Sequence, residues 1–281
     1  MPSNQHLTGI NMLLSSICRI CRLVALCLAA MALASPAYGT AFSTDNTDVY
    51  IASNEDGWGV EMFQRGDVVF ATIFTHDPDN LPIFYTATLF FAGTDAGGHA
   101  IWSGDLYVNN GPWLGAPFDL SKVNRRKVGT MTYIAQFIES GSLTFSVDGV
   151  IVTKQINRLT FKLDSYAGTY LGFYKLVATG CTDPANNGTY YVGARFNITQ
   201  AANALSVVAT DFEGGSCSFP GDYQQFGQFG QTRGSFTCTS GITGSHVIFE
   251  MNVTPGDFRG RILGSDNFGC TLNGNLSGIR Q

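Results

Sequence analysis

The sequence contains few charged residues, little histidine and no familiar catalytic motif. Asp, Glu, Lys and Arg together make up only 13% of its 281 residues, about half the usual share of a soluble domain. It contains no Gly-x-Ser-x-Gly elbow, no His-Glu-x-x-His pair and no phosphate-binding loop. We therefore predict no catalytic, metal-binding or cofactor-binding residues, and we favour a protein that is not an enzyme.

The sequence also lacks an apolar run long enough to span a bilayer. Its longest run, residues 23–34, has 12 residues, whereas a membrane helix needs about 20. A polar stretch with Arg19 and Arg22 precedes this run, and the small residues of 37–39 follow it. This three-part order is typical of a signal peptide. We predict cleavage after Gly39, with Ala34 and Ala41 as alternative sites and Met12 as an alternative start, and export to the periplasm or the medium.

A basic surface is missing as well. Residues 1–39 contain two of the 16 Lys and Arg and none of the 21 Asp and Glu, so the mature chain has a formal charge of −7. The one run of three cations is 125–127, which we place at a boundary between a loop and a strand. This charge distribution excludes nucleic acid as a partner and gives no attraction to anionic membranes. The ligand classes that this charge distribution leaves open are a small molecule, a glycan and a protein.

What the sequence does contain is a repeated pattern of short strands and turns. Apolar residues alternate with polar ones, as at Ile83, Tyr85, Ala87 and Leu89, and such a period of two is typical of β-strands. Turn residues mark the ends of eight short strands between residues 49 and 157, and of eight more between residues 168 and 278. We predict an all-β chain of two tandem antiparallel meanders, each an eight-stranded barrel or a barrel-like sandwich.

The distribution of cysteine and tryptophan supports two domains. All three tryptophans precede residue 114, and the four cysteines outside the signal region follow residue 180. We assign residues 1–39 to the signal peptide, 40–162 to an N-terminal β domain and 163–281 to a C-terminal domain with disulfides. An even number of cysteines in an exported chain indicates disulfide bonds.

The strand order suggests how these cysteines pair. Cys217 and Cys238 are nearly equidistant from the turn at 226–229, so they face each other if the fourth and fifth strands form a hairpin. Cys181 follows the first strand of its domain and Cys270 begins the last, and these two strands are neighbours in a closed barrel. We predict the bonds Cys217–Cys238 and Cys181–Cys270.

One segment resembles a known group of proteins. Residues 57–85 resemble a segment of exported bacterial proteins of unknown function, which has a Gly-Trp-Gly opening, a Gln-x-Gly turn, a Phe-Ala-x-x-Phe-Thr strand, an Asp-rich turn and a Pro-x-aromatic-Tyr end. The matching residues are Gly57, Trp58, Gly59, Gln64, Gly66, Phe70, Ala71, Phe74, Thr75, Asp77, Pro82, Phe84 and Tyr85. The chain departs from the pattern at His76 and Asn80. The resemblance implies export and an all-β fold, and it implies no catalytic residue.

Five aromatic residues are candidates for ligand binding. Trp58, Phe84 and Tyr85 could form a platform for a sugar or a peptide, although core packing explains the same residues. Trp102 and Trp113 complete the set.

Other segments also admit two interpretations. His76 with Asp77 and Asp79 fits a turn better than a metal site. The Gln- and Gly-rich residues 223–231 form either a flexible hairpin end or a binding loop. The candidate acids for a hydrolase are Glu61, Glu139, Glu213 and Glu250.

These observations lead to three functional hypotheses. The first is an exported, non-enzymatic β protein with a binding or envelope role. The second is a carrier with a small ligand inside each barrel. The third is a secreted hydrolase of sugar polymers that uses two carboxyl groups. A hollow barrel would favour the carrier, and two acids in one cleft would favour the hydrolase.

Overall fold

The structure is a computed structural model and describes residues 44–281. The signal peptide and its cleavage site lie outside the described residues. The described chain consists of sixteen strands and two single-turn 3-10 helices, Leu120–Lys122 and Pro184–Asn186. The first eight strands are β1 Asp48–Ile51, β2 Gly59–Arg65, β3 Val68–His76, β4 Pro82–Thr94, β5 Ala100–Asn110, β6 Asn124–Ala135, β7 Ser140–Val147 and β8 Val150–Arg158. The second eight are β9 Gly168–Thr179, β10 Gly188–Ala201, β11 Ala204–Asp211, β12 Ser216–Phe226, β13 Phe229–Cys238, β14 Thr243–Val253, β15 Asp257–Asp266 and β16 Thr271–Arg280.

Both sets of strands form closed antiparallel barrels in simple meander order. Each strand pairs with the next along the chain, and β1 closes on β8 as β9 closes on β16. The prediction of an all-β chain with two tandem barrels is therefore confirmed. No helix among residues 44–281 is long and apolar enough to cross a membrane.

Turn residues define the hairpins as the sequence predicts. Gly66, with φ of +56°, joins β2 to β3, and Asp148 and Gly149 join β7 to β8. Strand β6 contains the basic run 125–127, which the sequence places at a boundary between a loop and a strand. It begins at Asn124 and ends at Ala135, because Phe137 and Ser140 exchange backbone hydrogen bonds across a tight turn. The basic run 125–127 therefore forms the second to fourth residues of β6, directly after the loop.

The N-terminal barrel has a filled interior. Every second residue of its strands points inward, and the resulting core contains Tyr50, Met62, Trp102, Met131 and Tyr133, all at most 1% exposed. The rings of Tyr50 and Tyr133 meet edge to face at 5.9 Å. At 25 cal/mol per Å2 of buried apolar surface, each large ring stabilises the fold by about 2–3 kcal/mol.

The C-terminal barrel is filled by two apolar clusters and carries both disulfides. Cys217 and Cys238 are bonded across the β12–β13 hairpin. Cys181 and Cys270 are bonded where β9 meets β16, which is the seam that closes this barrel. Both pairings are the ones that the strand order predicts.

A buried arginine connects the two barrels. Arg158, at the end of β8, has a side chain that is 1% exposed. Its guanidinium donates to the carbonyls of Ile138 and Asp45, both at 2.6 Å, and to the carboxylate of Asp48 at 3.0 Å. Its other face lies 4.9 Å from the ring of Phe229 in the second barrel. A buried charge needs such partners, because an unpaired one is strongly destabilising.

The Gln- and Gly-rich residues 223–231 complete this contact. They form the tip of the β12–β13 hairpin, where the amide of Gln225 accepts from the backbone N–H of Asp164 at 2.7 Å. The backbone N–H of Gln228 donates to the carboxylate of Asp48 at 3.0 Å. The segment is therefore neither a free binding loop nor a loose hairpin end. Its polar groups form hydrogen bonds with strand β1 and with the chain that connects the two barrels.

Candidate functional site

An open cup of about 670 Å3 lies at the free end of the N-terminal barrel. Here the inward-pointing rows of the strands continue past the filled core. Trp58, Ile83, Tyr85, Phe145 and Val152 form its apolar lining. Three of these five side chains are aromatic, and Trp58, Ile83 and Phe145 also pack against the core. The cup is thus built on strands that the packed interior holds in place.

One side of the cup has an incomplete wall. Strand β1 has only four residues, and the chain leaves the barrel after Ile51 and returns at Gly59. The gap is bridged by side chains: the ammonium group of Lys154 lies 2.8 Å from the carboxylate of Glu55. The indole N–H of Trp58 donates to the same carboxylate at 3.1 Å. Glu55 therefore fixes the Trp58 ring at the edge of the cup.

A second ion pair joins β6 to the β7–β8 turn, next to the strand that carries Lys154. The guanidinium of Arg126 on β6 makes two hydrogen bonds, of 2.5 and 3.0 Å, to the carboxylate of Asp148 in the β7–β8 turn. This two-point geometry orients both groups. The rim therefore presents two acid–base pairs, and the carboxylate of Asp77, which also lines the cup, adds a third acid.

The ion pairs determine the acid–base chemistry of the rim. The hydrogen bond from Lys154 lowers the pKa of Glu55, and the hydrogen bond from Arg126 lowers the pKa of Asp148. Burial raises the pKa of Tyr85 at the cup wall. Both carboxylates are therefore held in the ionised form, whereas a general acid for hydrolysis needs a raised pKa.

The turn between β3 and β4 uses its acid for structure. The Asp77 carboxylate accepts from the backbone N–H groups of Asp79 and Leu81, both at 2.9 Å. His76 lies beside it on the cup wall. Within residues 44–281 no group of three or more His, Cys, Asp or Glu side chains could hold a metal ion.

The structure separates the five aromatic candidates. Trp58 and Tyr85 both line the cup. Phe84 points away from Tyr85 and lies 45% exposed on the outer barrel face, so these three residues do not form one platform. Trp102 is fully buried in the core, and Trp113 is 78% exposed in the loop between β5 and β6. Neighbouring residues of a strand face opposite sides, which is why Phe84 and Tyr85 cannot act together.

Exposed apolar side chains surround the open end of this barrel. The turn 77–81, the loop 111–123 and the start of β8 all lie at that end, because β4, β6 and β8 begin there. Their exposed apolar residues are Leu81, Trp113, Leu114, Phe118, Leu120, Val150 and Ile151, each at least 58% exposed. Such a cluster on a surface often marks an interaction site.

Two surface openings of about 510 and 550 Å3 are lined mainly by residues of the C-terminal barrel, but the void enclosed in its interior is far smaller. Its apolar interior void measures about 40 Å3 and is lined by side chains such as Tyr174, Phe196 and Phe219. That is enough for one or two waters and far below the 300–1,000 Å3 of a typical ligand site. A carrier with one enclosed ligand in each barrel does not fit this interior.

The four candidate hydrolase acids do not converge. None of them lines the cup. Glu61 and Glu213 are exposed. Glu250 lines a separate groove on the second barrel, where it accepts from Thr44 and lies 3.4 Å from Arg261.

Sequence reasoning missed the charged residues of the cup. The sequence pattern places Arg126 at a strand boundary and does not distinguish Lys154 from other exposed cations. The alternation in β8 contains a signal, because Lys154 shares its face with the buried Ile156. A cation on the inner face of a barrel strand needs a partner, and this rule points to an acid nearby.

The comparisons with known proteins add no family. No known protein-family model matches the chain, and no curated protein matches it at a significant level. The resemblance of residues 57–85 to exported bacterial proteins stays a prediction.

Proposed function

We propose that this chain is an exported binding protein whose ligand sits in the cup of the N-terminal barrel. The observation that carries the proposal is the combination of a 670 Å3 opening with an aromatic lining and two ion pairs at its rim. Ligand sites usually have this size and this mixture of apolar walls and a few oriented polar groups.

The lining indicates the chemistry of the ligand. Trp58, Tyr85 and Phe145 offer ring surfaces for an apolar or ring-shaped group. The cup is lined by three acids, Glu55, Asp77 and Asp148, and by two cations, Arg126 and Lys154. The exposed part of the ligand is therefore neutral or weakly cationic, because an anion would meet this excess of acid.

A binding role accounts for the carboxylates better than hydrolysis does. The rim carboxylates Glu55 and Asp148 are held in ion pairs that lower their pKa. A glycosidase needs one protonated acid next to a second carboxylate. We therefore favour binding over the hydrolase hypothesis, and we place the ligand at the barrel mouth instead of inside a closed chamber.

The proposed location is the periplasm or the medium. Residues 1–39 have the order of a signal peptide. Both disulfides of the second barrel are typical of a chain that folds in an oxidising compartment.

Binding can be tested with the uncharged fluorescent probe N-phenyl-1-naphthylamine and the mature chain. Trp58→Ala removes a ring from the cup, and we expect the probe affinity to fall about tenfold, since a buried aromatic contact contributes about 1–1.5 kcal/mol. Phe84→Ala is the control, because Phe84 is an exposed aromatic residue on the outer face of the barrel and does not line the cup. Equal affinities of the Trp58→Ala variant and the unmodified chain would place the probe elsewhere and contradict the proposal.

A further inference from the structure

Strand β8 has a free edge directly beside the cup. On one side, β8 pairs with β7 from Val150 to Asn157. On the other side, its register with β1 begins only at Asn157, opposite Ile51. Among the residues that the structure describes, 150–156 thus have a strand neighbour on one side only, over a length of about 23 Å at 3.3 Å per residue.

The hydrogen-bond pattern identifies the main-chain groups on this edge. In an antiparallel ladder, alternate residues direct both N–H and C=O toward the same neighbour. The N–H of Arg158 donates to the carbonyl of Glu139 on the β7 side, so the even-numbered residues of β8 face β7. The main-chain groups of Ile151, Thr153 and Gln155 therefore face the gap, and no hydrogen bond within residues 44–281 is found for them.

The side chains of the same strand divide between cup and solvent. Val150, Val152 and Lys154 line the cup. Ile151 is 73% exposed, and Thr153 and Gln155 are exposed as well. A strand added beside β8 would continue this alternation and direct every second side chain toward the cup.

The chemistry that matches such an edge is an extended polypeptide. We propose that a peptide segment of another protein adds to β8 as an extra strand and inserts an apolar side chain between Trp58 and Val152. This inference rests on the proposed function, because it names the ligand class of the same cup. Strand addition of this kind takes its affinity from main-chain hydrogen bonds and its specificity from pockets for alternate side chains.

The ion pair across the gap permits this insertion. Lys154 and Glu55 are about one third to two fifths exposed, and ion pairs of that exposure contribute little to stability. They can therefore separate when a strand enters.

A second copy of the chain fits the edge less well than a peptide does. Two β8 strands paired about Thr153 would bring the two Lys154 side chains close together on the inner face. An inward-pointing charge on an edge strand is a common device against such self-pairing.

The test begins with selection of displayed 12-residue peptides on the mature chain, followed by hydrogen exchange. A bound peptide should slow exchange at the amides of Ile151, Thr153 and Gln155 and leave Val152 and Lys154, which already face β7, unchanged. Protection without this alternation, or no selected peptide that protects the edge, overturns the proposal.

Two variants at one position isolate the main-chain contribution. Thr153→Pro removes the N–H that faces the gap, and proline is tolerated at such edge positions. We expect it to weaken the selected peptide about tenfold, through one lost hydrogen bond and a steric clash. Thr153→Val keeps the N–H and removes only the hydroxyl, which lies 3.0 Å from that of Thr144, so it should change the affinity less than about twofold.

The outcomes distinguish the two proposals. If the fluorescent probe binds the cup but no peptide protects the edge, the binding function stands and strand addition is wrong. If neither binds, both are wrong. If edge protection appears without peptide, rises with protein concentration and accompanies a doubled mass in sedimentation, the edge belongs to a second copy and the peptide proposal is overturned.

Discussion

Acid should destabilise the C-terminal barrel through a single histidine. His246 on β14 is 1% exposed, and neither of its ring nitrogens has a hydrogen-bond partner among the described residues. Its ring meets that of Phe219 edge to face at 5.4 Å. Burial without a partner disfavours the charged form, and it lowers the pKa of His246 from 6.5 to about 4.

The sign and size of the effect follow from this difference. Above pH 6.5 the histidine is neutral in both the folded and the unfolded chain, so it has no effect on the pH dependence. Between pH 6.5 and about 4 only the unfolded chain takes up the proton, and folding stability falls as the pH falls. The total loss is about 3 kcal/mol at 1.36 kcal/mol per pKa unit, and it stays constant below about pH 4.

The variant His246→Leu tests this calculation. It removes the proton site at similar volume, so its unfolding free energy should fall about 3 kcal/mol less than that of the unmodified chain between pH 7 and pH 4. All tryptophans lie in the first barrel, so unfolding of the second is best followed in urea by a deuterium pulse that labels β14. His76→Gln, at an exposed histidine, is the control and should follow the unmodified chain. Parallel pH profiles for His246→Leu and the unmodified chain would refute the reasoning.

Two further predictions concern the covalent bonds and the contact between the barrels. Replacing both cysteines of the 181–270 bridge with Ser should lower the free energy of unfolding by about 5 kcal/mol, and the same change in the 217–238 bridge should lower it by about 3 kcal/mol. The difference arises because the first bridge closes a loop of 89 residues and the second a loop of 21. Urea unfolding of the second barrel measures both values, and a reversed order would contradict the loop-length argument. Gly227→Ala should destabilise the chain by more than about 1 kcal/mol, since Gly227 has φ of +56° and a Cβ there would lie 2.0 Å from the carboxylate of Asp48. Gly256→Ala is its control, because a Cβ at that position meets nothing within 4 Å. Equal thermal midpoints of the two variants would show that the contact between the hairpin tip and Asp48 does not stabilise the chain.

The strands and the disulfides could be predicted because their signals are local. Alternation over six or more residues identifies a strand, and the turn residues at Gly66 and Gly149 mark where it reverses. In a meander each strand pairs with the next, so the position of a cysteine along its strand is enough to identify its partner. The pairing Cys217–Cys238 follows from this rule alone.

The ligand-facing residues could be predicted only in part. Alternation separates Phe84 from Tyr85, but it does not say which face is the interior when both faces carry aromatic side chains. Phe70 and Phe74 also lie about half exposed on the outer face, which breaks the usual division into apolar inside and polar outside. The position of an inward-facing residue along the barrel axis then determines whether it can reach a ligand. Trp58 lies at the mouth of the barrel, whereas Trp102 lies in the middle of the core.

The charged partners of the cup depend on contacts between distant parts of the chain. Glu55 and Lys154 are 99 residues apart, and they meet because β1 is too short to separate β8 from the loop after Ile51. The length of a four-residue strand is the least certain quantity in a sequence pattern. The free edge of β8 follows from the same short strand and was equally hidden.

The guanidinium of Arg158 bears on how this protein can be divided or recombined. The connection between the barrels looks like a natural place to cut, yet the arginine just before it depends on an aromatic ring supplied by the other half. An excised first barrel would expose that cation to water beside Asp48, and an excised second barrel would lose the groups that hold its hairpin tip. Exchange of either half with an unrelated partner would therefore have to transplant residues from both sides of the junction.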